Sequence, residues 1–430
     1  MNYQERLQKA IPGGAHTYSR GADQFPSNAP QILARGKGAY VFDDKDQCYL
    51  DYGMALRAVS IGYAEEEIDE AAIRQIRNGN NLTRPSLIEL EAAELLTNLI
   101  SSADMVKFTK NGSTSVSAAV KLARAYTGRD LVARCAEHPF FSFDDWFIGS
   151  TTLTRGIPAA VIAQTKLFQF NDIDSLQKLF DQYPGEIACV VLEPATNAHP
   201  TEGYLQSVQT MCRHYGAVLI LDEMITGFRW HLKGAQHYYG LQPDLCTFGK
   251  AMANGFSVSC VAGRRDIMEL GSIETEGQER LFLLSTTHGA EMAGMGAFVA
   301  TMRYLQREPV IEHLWRYGQQ LVELINATAR EFGVAHSLSA GGVPCSPFYA
   351  TLDAQGHPSL ELRTLFAQEM VRNGVLMPWI ALCYRHGNKE LELTERALRS
   401  TLPVYAQALE RGASPYLQGP AIKPVFRRFN

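Results

Sequence analysis

Gly216–Arg229 reads GAVLILDEMITGFR: a glycine, five apolar residues in a row, two carboxylates and a turn. An apolar run without polar alternation has no solvent face, which marks a strand buried on both sides of a parallel sheet. Similar runs recur between about Glu65 and Tyr304, namely MVKFT, LVAR, IACVVLE, DLCTF and SVSCVAG. Amphipathic segments separate them, among them SVSAAVKLARAYTG and YLQSVQTMCRHYG, the latter stopping at Gly216. Buried strands alternating with helices predict an α/β domain. Beyond roughly Arg307 the style changes to longer helical segments, such as EHLWRYGQQLVELINATAREFG and LELRTLFAQEMVRNG, with a few short strands such as SPFYATL. That reads as a smaller α+β domain. The expected division is 1–60 (N-terminal segment of the small domain), 61–307 (large domain) and 308–430 (the rest of the small domain).

Composition narrows the function classes. With 46% hydrophobic residues in 430, the chain has enough apolar material for a large core. Its 40 basic and 45 acidic side chains are interspersed, and a net charge of -5 supplies no basic stripe for nucleic-acid phosphates. The eight cysteines lie far apart, with no Cys-x-x-Cys pair and no histidine pair at zinc spacing, so no metal site is expected. They read as buried thiols of a reducing compartment. The charged start, MNYQERLQKA, lacks an apolar signal core, and no run approaches the roughly 18 apolar residues of a membrane span. A cytoplasmic protein with no membrane partner is the expectation.

Ligands of open α/β sheets bind beyond the carboxyl ends of the strands, so the polar residues that close each run bear the chemistry. Asp222 closes AVLIL; a carboxylate there can hold a protonated ring nitrogen or a metal, or simply cap a turn. Gly112, Ser113 and Thr114 open the helical segment after MVKFT, where free N–H groups, the helix dipole and two hydroxyls suit a phosphate. An ordinary N-cap has the same residues. Thr247–Ser259 reads TFGKAMANGFSVS and sets Lys250 just past another buried run. A lone lysine is usually a solvated side chain, yet an amine desolvated at a strand end attacks carbonyls as a neutral nucleophile. In combination, a phosphate cradle, a strand-end acid and a strand-end lysine are the three anchors required by pyridoxal 5'-phosphate (PLP).

With these residues, the sequence resembles the class III, fold type I PLP-dependent aminotransferases, and among them is most similar to the glutamate-1-semialdehyde aminomutases. The likeness runs through PGG (Pro12–Gly14), FDDKDQCYLDY, NGSTSVSAAVKLARAYTGRD, EIACVVLEP, GAVLILDEMITGFR, QPDLCTFGKAMANGFSVSCVAGRRDIM and STTHGAEMAGMGA. It covers about the first 300 residues well and the C-terminal part weakly. It implies a mostly parallel sheet flanked by helices, with a smaller α+β domain built from both chain ends. It further implies that Lys250 forms the Schiff base with PLP and that Asp222 pairs with the ring nitrogen. Gly112, Ser113 and Thr114 would hold the phosphate, joined by Thr286 from a neighbouring subunit, which makes the protein a homodimer with its sites at the interface. Of the family's aromatic-His-Gly motif only the ring survives, as Phe140, which would stack on the cofactor. Glu193 matches an orienting position and Asn197 a supporting contact.

Departures from the family fall at the substrate. Arg20, in PGGAHTYSR, matches the arginine that grips the substrate carboxylate, although a surface ion pair would explain it as well. Leu56-Arg57 stands where the aminomutases carry Trp-Gly, adding a cation that suits a second anionic group. The region MPWIALCYRHGNKE lacks the aminomutases' acidic residue and brings Arg385 and His386 instead, at the substrate or in the scaffold. Cofactor machinery kept and pocket changed predict an aminotransferase acting on a small anionic aldehyde or ketone, with the aminomutase as the alternative. A dinucleotide-binding oxidoreductase shares the strand-helix alternation, but the chain has no Gly-x-Gly-x-x-Gly after its first strand.

Overall fold

A computed structural model describes residues 1–196, 198–274 and 276–430. The chain folds as two units, Met1–Glu65 with Glu312–Arg427 and Glu66–Ile311 with Arg428–Asn430. In the first, β1 (Leu33–Lys37), β2 (Tyr40–Asp43) and β3 (Cys48–Asp51) form an antiparallel meander, and Val375–Leu376 adds a parallel strand to β3. Val41, Tyr49, Val371 and Leu376 make a small core on this sheet. Helices Tyr3–Ala10, Leu360–Arg372 and Asn388–Arg411, most of helix Val310–Glu331 and the hairpin Leu338–Val343/Ser346–Thr351 belong to the same unit.

Immediately after β3 the backbone does something that its residues do not favour. Met54, Ala55, Leu56 and Arg57 all have positive φ, at 39, 48, 62 and 67°. For residues with a Cβ the left-handed helical conformation costs about 1–2 kcal/mol each, so a run of four must be held by its surroundings.

The second unit carries a seven-stranded sheet: β4 (Met105–Thr109), β5 (Leu131–Cys135), β6 (Thr165–Phe168), β7 (Ile187–Leu192), β8 (Val218–Glu223), β9 (Leu245–Phe248) and β10 (Ser259–Gly263). Their spatial order is β4-β10-β9-β8-β7-β5-β6. Every residue of β7, β8, β9 and β10 is buried, which is why these runs are apolar throughout. β10 runs antiparallel to both its neighbours, so the sheet is mostly rather than wholly parallel. The edge strand β6, TKLF, was not among the expected strands. The quoted run forms β8, and the turn before it closes helix Tyr204–Tyr215 with Gly216 at φ 64°.

Candidate active site

β4, β5, β7, β8 and β9 all point the same way, because β10 is antiparallel to β4 and β9 alike. Their carboxyl ends therefore share one edge of the sheet. Along that edge lie Asn111–Thr114 after β4, the 138–143 loop after β5, Glu193 after β7, Asp222 within the end of β8, and Lys250 just past β9.

Met224 ties three of these together. A Cβ on Gly112 would lie 2.8 Å from the Met224 sulfur, and one on Gly249 would lie 2.5 Å from the same atom. A side chain at either position would have to displace the Met224 sulfur, so glycine lets the backbone before Lys250 and the turn after β4 approach closely. The Met224 N–H donates to Asp222 Oδ1 at 2.8 Å, and Thr247 Oγ1 donates to the same oxygen at 3.3 Å across the β8/β9 register. Asp222 is 1% exposed. Burial pushes its carboxyl above the usual range, while the Lys250 charge pulls it back down. Lys250 itself sits at φ 44°, a left-handed conformation that a lysine adopts only where its neighbours impose it.

The cradle is more specific than its sequence indicates. Asn111, not foreseen, is the N-cap of helix Gly112–Thr127 and accepts from the Thr114 N–H at 2.9 Å and from the Thr114 hydroxyl at 3.0 Å. The N–H groups of Gly112 and Ser113 lie in the first turn, where the helix supplies no internal acceptor. The Ser113 hydroxyl accepts from the Phe143 N–H at 3.1 Å and keeps its own proton to donate. That bond brings the β5 loop to the cradle. Phe140 in this loop is 47% exposed and meets the Phe147 ring edge-on at 5.7 Å. Behind it, His138 is buried, and its Nδ1 accepts the Glu193 N–H at 2.9 Å, bracing the β5 and β7 loops against each other. Nothing in the local sequence singled out His138.

The remaining expected residues fall elsewhere. Thr286 is exposed and lines a 250 Å³ pocket with residues of the 81–86 segment. Asn197 lies outside the described residues. Arg20 is exposed in the first unit, where it lines a 640 Å³ cavity together with Ala55, Leu56 and Trp379, and no ion pair engages it among the described residues. Arg57 ends the left-handed turn. Arg385 is different: its guanidinium grips the Glu65 carboxylate with two hydrogen bonds, at 2.8 and 2.5 Å, and so serves the scaffold.

His386 is a scaffold residue too. It stacks on Tyr52 at 4.6 Å, accepts the Cys383 N–H, and is held neutral by burial, its pKa lowered to about 3. An unfolded histidine titrates near 6.5, so the unfolded chain takes up a proton that the folded one refuses as pH falls from about 6.5 to about 3. Stability present above that window is lost within it, by about 1.4 kcal/mol per pH unit. His386→Gln is therefore expected to lose about 2 kcal/mol less than wild type between pH 7 and pH 5 in urea unfolding. An unchanged difference would remove His386 from the acid response.

A model of the aminotransferase class-III family matches residues 21–375. The chain belongs to the class-III aminotransferases. It is 30% identical over 412 residues to the 3-aminobutyryl-CoA aminotransferase of Cloacimonas acidaminovorans (strain Evry), covering 94% of this chain and 96% of that one. The FumI protein of Sphingopyxis sp. MTA144, solved in its PLP internal aldimine form, superposes with a TM-score of 0.87 at 26% identity, over 97% of this chain and 99% of that one. An omega-transaminase from Sphaerobacter thermophilus matches with a TM-score of 0.83 at 28% identity, over 94% and 97% of the two chains. This class-III aminotransferase is a PLP-dependent enzyme. The residues of the sheet edge fit that cofactor: a buried acid, and a helix N-terminus and a lysine drawn together by glycines whose Cβ atoms would strike one sulfur.

Proposed function

We propose that this class-III aminotransferase moves an amino group between an amino acid donor and a small aldehyde or ketone bearing a carboxylate or phosphate, with Lys250 as the reacting amine. The observation that carries the anionic substrate is Arg20, an exposed cation lining a 640 Å³ cavity without an ion pair among the described residues. The likeness to a protein acting on a coenzyme A thioester, itself phosphate-bearing, supports the same charge.

PLP, when bound, supplies a carbonyl carbon that carries the amino group and a ring that accepts electrons. The N–H groups of Gly112 and Ser113, with the Ser113 hydroxyl, would bind its phosphate at the positive end of helix Gly112–Thr127. Asp222 would hold a proton at the ring nitrogen. Burial disfavours its charge, so a cation placed against it gains a strong, water-free ion pair. Phe140 would cover a ring face and exclude water. Lys250 Nζ would hold the cofactor and would be the base positioned to take the proton from the donor's α-carbon. Arg20 and Arg57 would bind the anionic end of the acceptor. The functional unit in this reading is a cytoplasmic homodimer in which Thr286 of one subunit reaches the phosphate bound by the other.

The test is a half-reaction: protein loaded with pyridoxamine 5'-phosphate is mixed with succinic semialdehyde or with uncharged butanal. The anionic aldehyde is expected to react at about 10–100-fold lower concentration, the worth of one or two charge-assisted hydrogen bonds. Equal response to both aldehydes would sink the anionic-substrate reading. Arg57→Ala should raise the half-saturating concentration of succinic semialdehyde about 10-fold or more and leave PLP binding unchanged; an unaltered concentration takes Arg57 out of the site. Glutamate-1-semialdehyde supplied alone should yield no 5-aminolevulinate, and its rapid formation would install the aminomutase instead.

A further inference from the structure

The left-handed run Met54–Arg57 contains neither glycine nor asparagine, the residues that adopt this conformation at low cost. Within the run and its flanks, Leu56 N–H bonds to the Gly53 carbonyl at 3.0 Å and Val59 N–H to the Met54 carbonyl at 3.3 Å. These local bonds have equivalents in a right-handed turn, so they do not explain the choice of hand.

The entry to the turn is fixed by Asp51, the last residue of β3 and 3% exposed. Its Oδ1 accepts the Gly53 N–H at 2.7 Å, and its Oδ2 accepts the Met54 N–H at 3.0 Å and the Tyr63 hydroxyl at 2.7 Å. One carboxylate thus fixes both peptides that enter the turn. From the other side the Trp379 indole N–H donates to the Gly53 carbonyl at 3.0 Å. A Cβ on Gly53 would lie 2.8 Å from Asp51 Oδ1, so the carboxylate and the backbone are in closest approach there. Asp51, Ala55, Leu56, Tyr63 and Trp379 all line the 640 Å³ cavity that Arg20 lines.

We propose that Asp51 is a positioning residue for substrate recognition: by holding the Met54–Arg57 turn left-handed, it sets where Ala55 and Leu56 stand in the cavity that receives the acceptor's anionic end, and where Arg57 follows them in the turn. The inference rests on the proposed function, in which this cavity receives that end. A carboxylate with three bonds suits the role because backbone strain persists only where several contacts fix it together. Tyr63 and Trp379 share the same task.

The experiment compares wild type, Asp51→Asn, Asp51→Asn/Ala55→Gly, Tyr63→Phe and Arg57→Ala, each as full-length protein. The readouts are the half-saturating concentration and limiting rate for succinic semialdehyde in the half-reaction, the Kd of unreactive succinate by calorimetry, the Kd of PLP, and Tm. Asp51→Asn is expected to raise both the half-saturating concentration and the succinate Kd about 10-fold, with the limiting rate and PLP affinity within about twofold. Ala55→Gly in that background should recover most of the loss, because glycine accepts φ near 48° without the Cβ penalty. A purely structural role would move Tm and PLP binding together and would not be rescued by glycine. Unchanged succinate binding in a folded Asp51→Asn protein overturns the proposal, as does failure of Ala55→Gly to restore it. Should Asp51→Asn not fold, Tyr63→Phe decides: a loss of about threefold in succinate affinity with PLP affinity kept supports the proposal, and no change overturns it. Arg57→Ala separates the two readings. If it has no effect while Asp51→Asn weakens binding and glycine restores it, the turn acts through Ala55 and Leu56, so the positioning role stands while the assignment of Arg57 falls.

Discussion

Lys250→Ala is expected to abolish transamination, with a fall of at least about 10⁴-fold, since the change removes a nucleophile and a positioned base together. The variant should also release PLP on dialysis. In wild type, borohydride reduction is expected to lock the cofactor to one peptide, the one containing Lys250, and mass spectrometry reads the adduct directly. An adduct on another lysine, or a variant active within tenfold of wild type, would remove Lys250 from the reaction. The physical case is the local backbone: Gly249 lies against the Met224 sulfur and the Ser259 hydroxyl, which a Cβ there would displace, and Lys250 is held at φ 44° at the carboxyl edge of the sheet. A surface lysine needs neither constraint.

Asp222→Asn carries the second large expectation, a fall of about 10²–10³-fold in rate, the usual worth of one preorganised charge aimed at the reacting group. Asparagine keeps the shape and can keep the oxygen that accepts from Met224 N–H and Thr247 Oγ1, so the turn should survive. Only the charge is lost. The variant should therefore melt close to wild type, bind PLP more weakly and show an altered absorbance for the bound cofactor, because nothing fixes a proton on the ring nitrogen. A rate within threefold of wild type would reduce Asp222 to the turn cap that its sequence position equally allowed.

Glu223, beside it, shows why adjacency alone is a poor guide. It is just as buried, and burial pushes its pKa up to about 7. Its carboxylate is spent on the start of helix Gly234–Tyr238, accepting the Ala235 and Gln236 N–H groups at 2.5 and 3.0 Å. Two neighbouring carboxylates on one strand end thus have separate tasks, since successive side chains leave a strand on opposite faces.

By itself the sequence determined the α/β class and marked the candidate reagents. Continuous apolar runs betray strands with two buried faces, and a strand-end acid, a glycine-bearing helix start and a strand-end lysine are local patterns that the chain spells out in order. Strand direction was not legible, because the apolar run of β10 is equally buried either way round, and the edge strand β6 escaped because one of its flanks has no neighbour and its TKLF run is only partly buried. Tertiary structure alone decided which charges are engaged and which backbone is strained. Arg385 looks like a substrate arginine until Glu65, 320 residues earlier, takes the Nε–Nη2 edge of its guanidinium with two hydrogen bonds. MALR carries no local signal for a left-handed turn, and its own preferences oppose one; only the fold brings Asp51 to the Gly53 N–H, Tyr63 to Asp51 and Trp379 to the Gly53 carbonyl. Burial and periodicity are properties of a short window, whereas ion pairing and strain depend on partners that only folding brings within hydrogen-bonding distance.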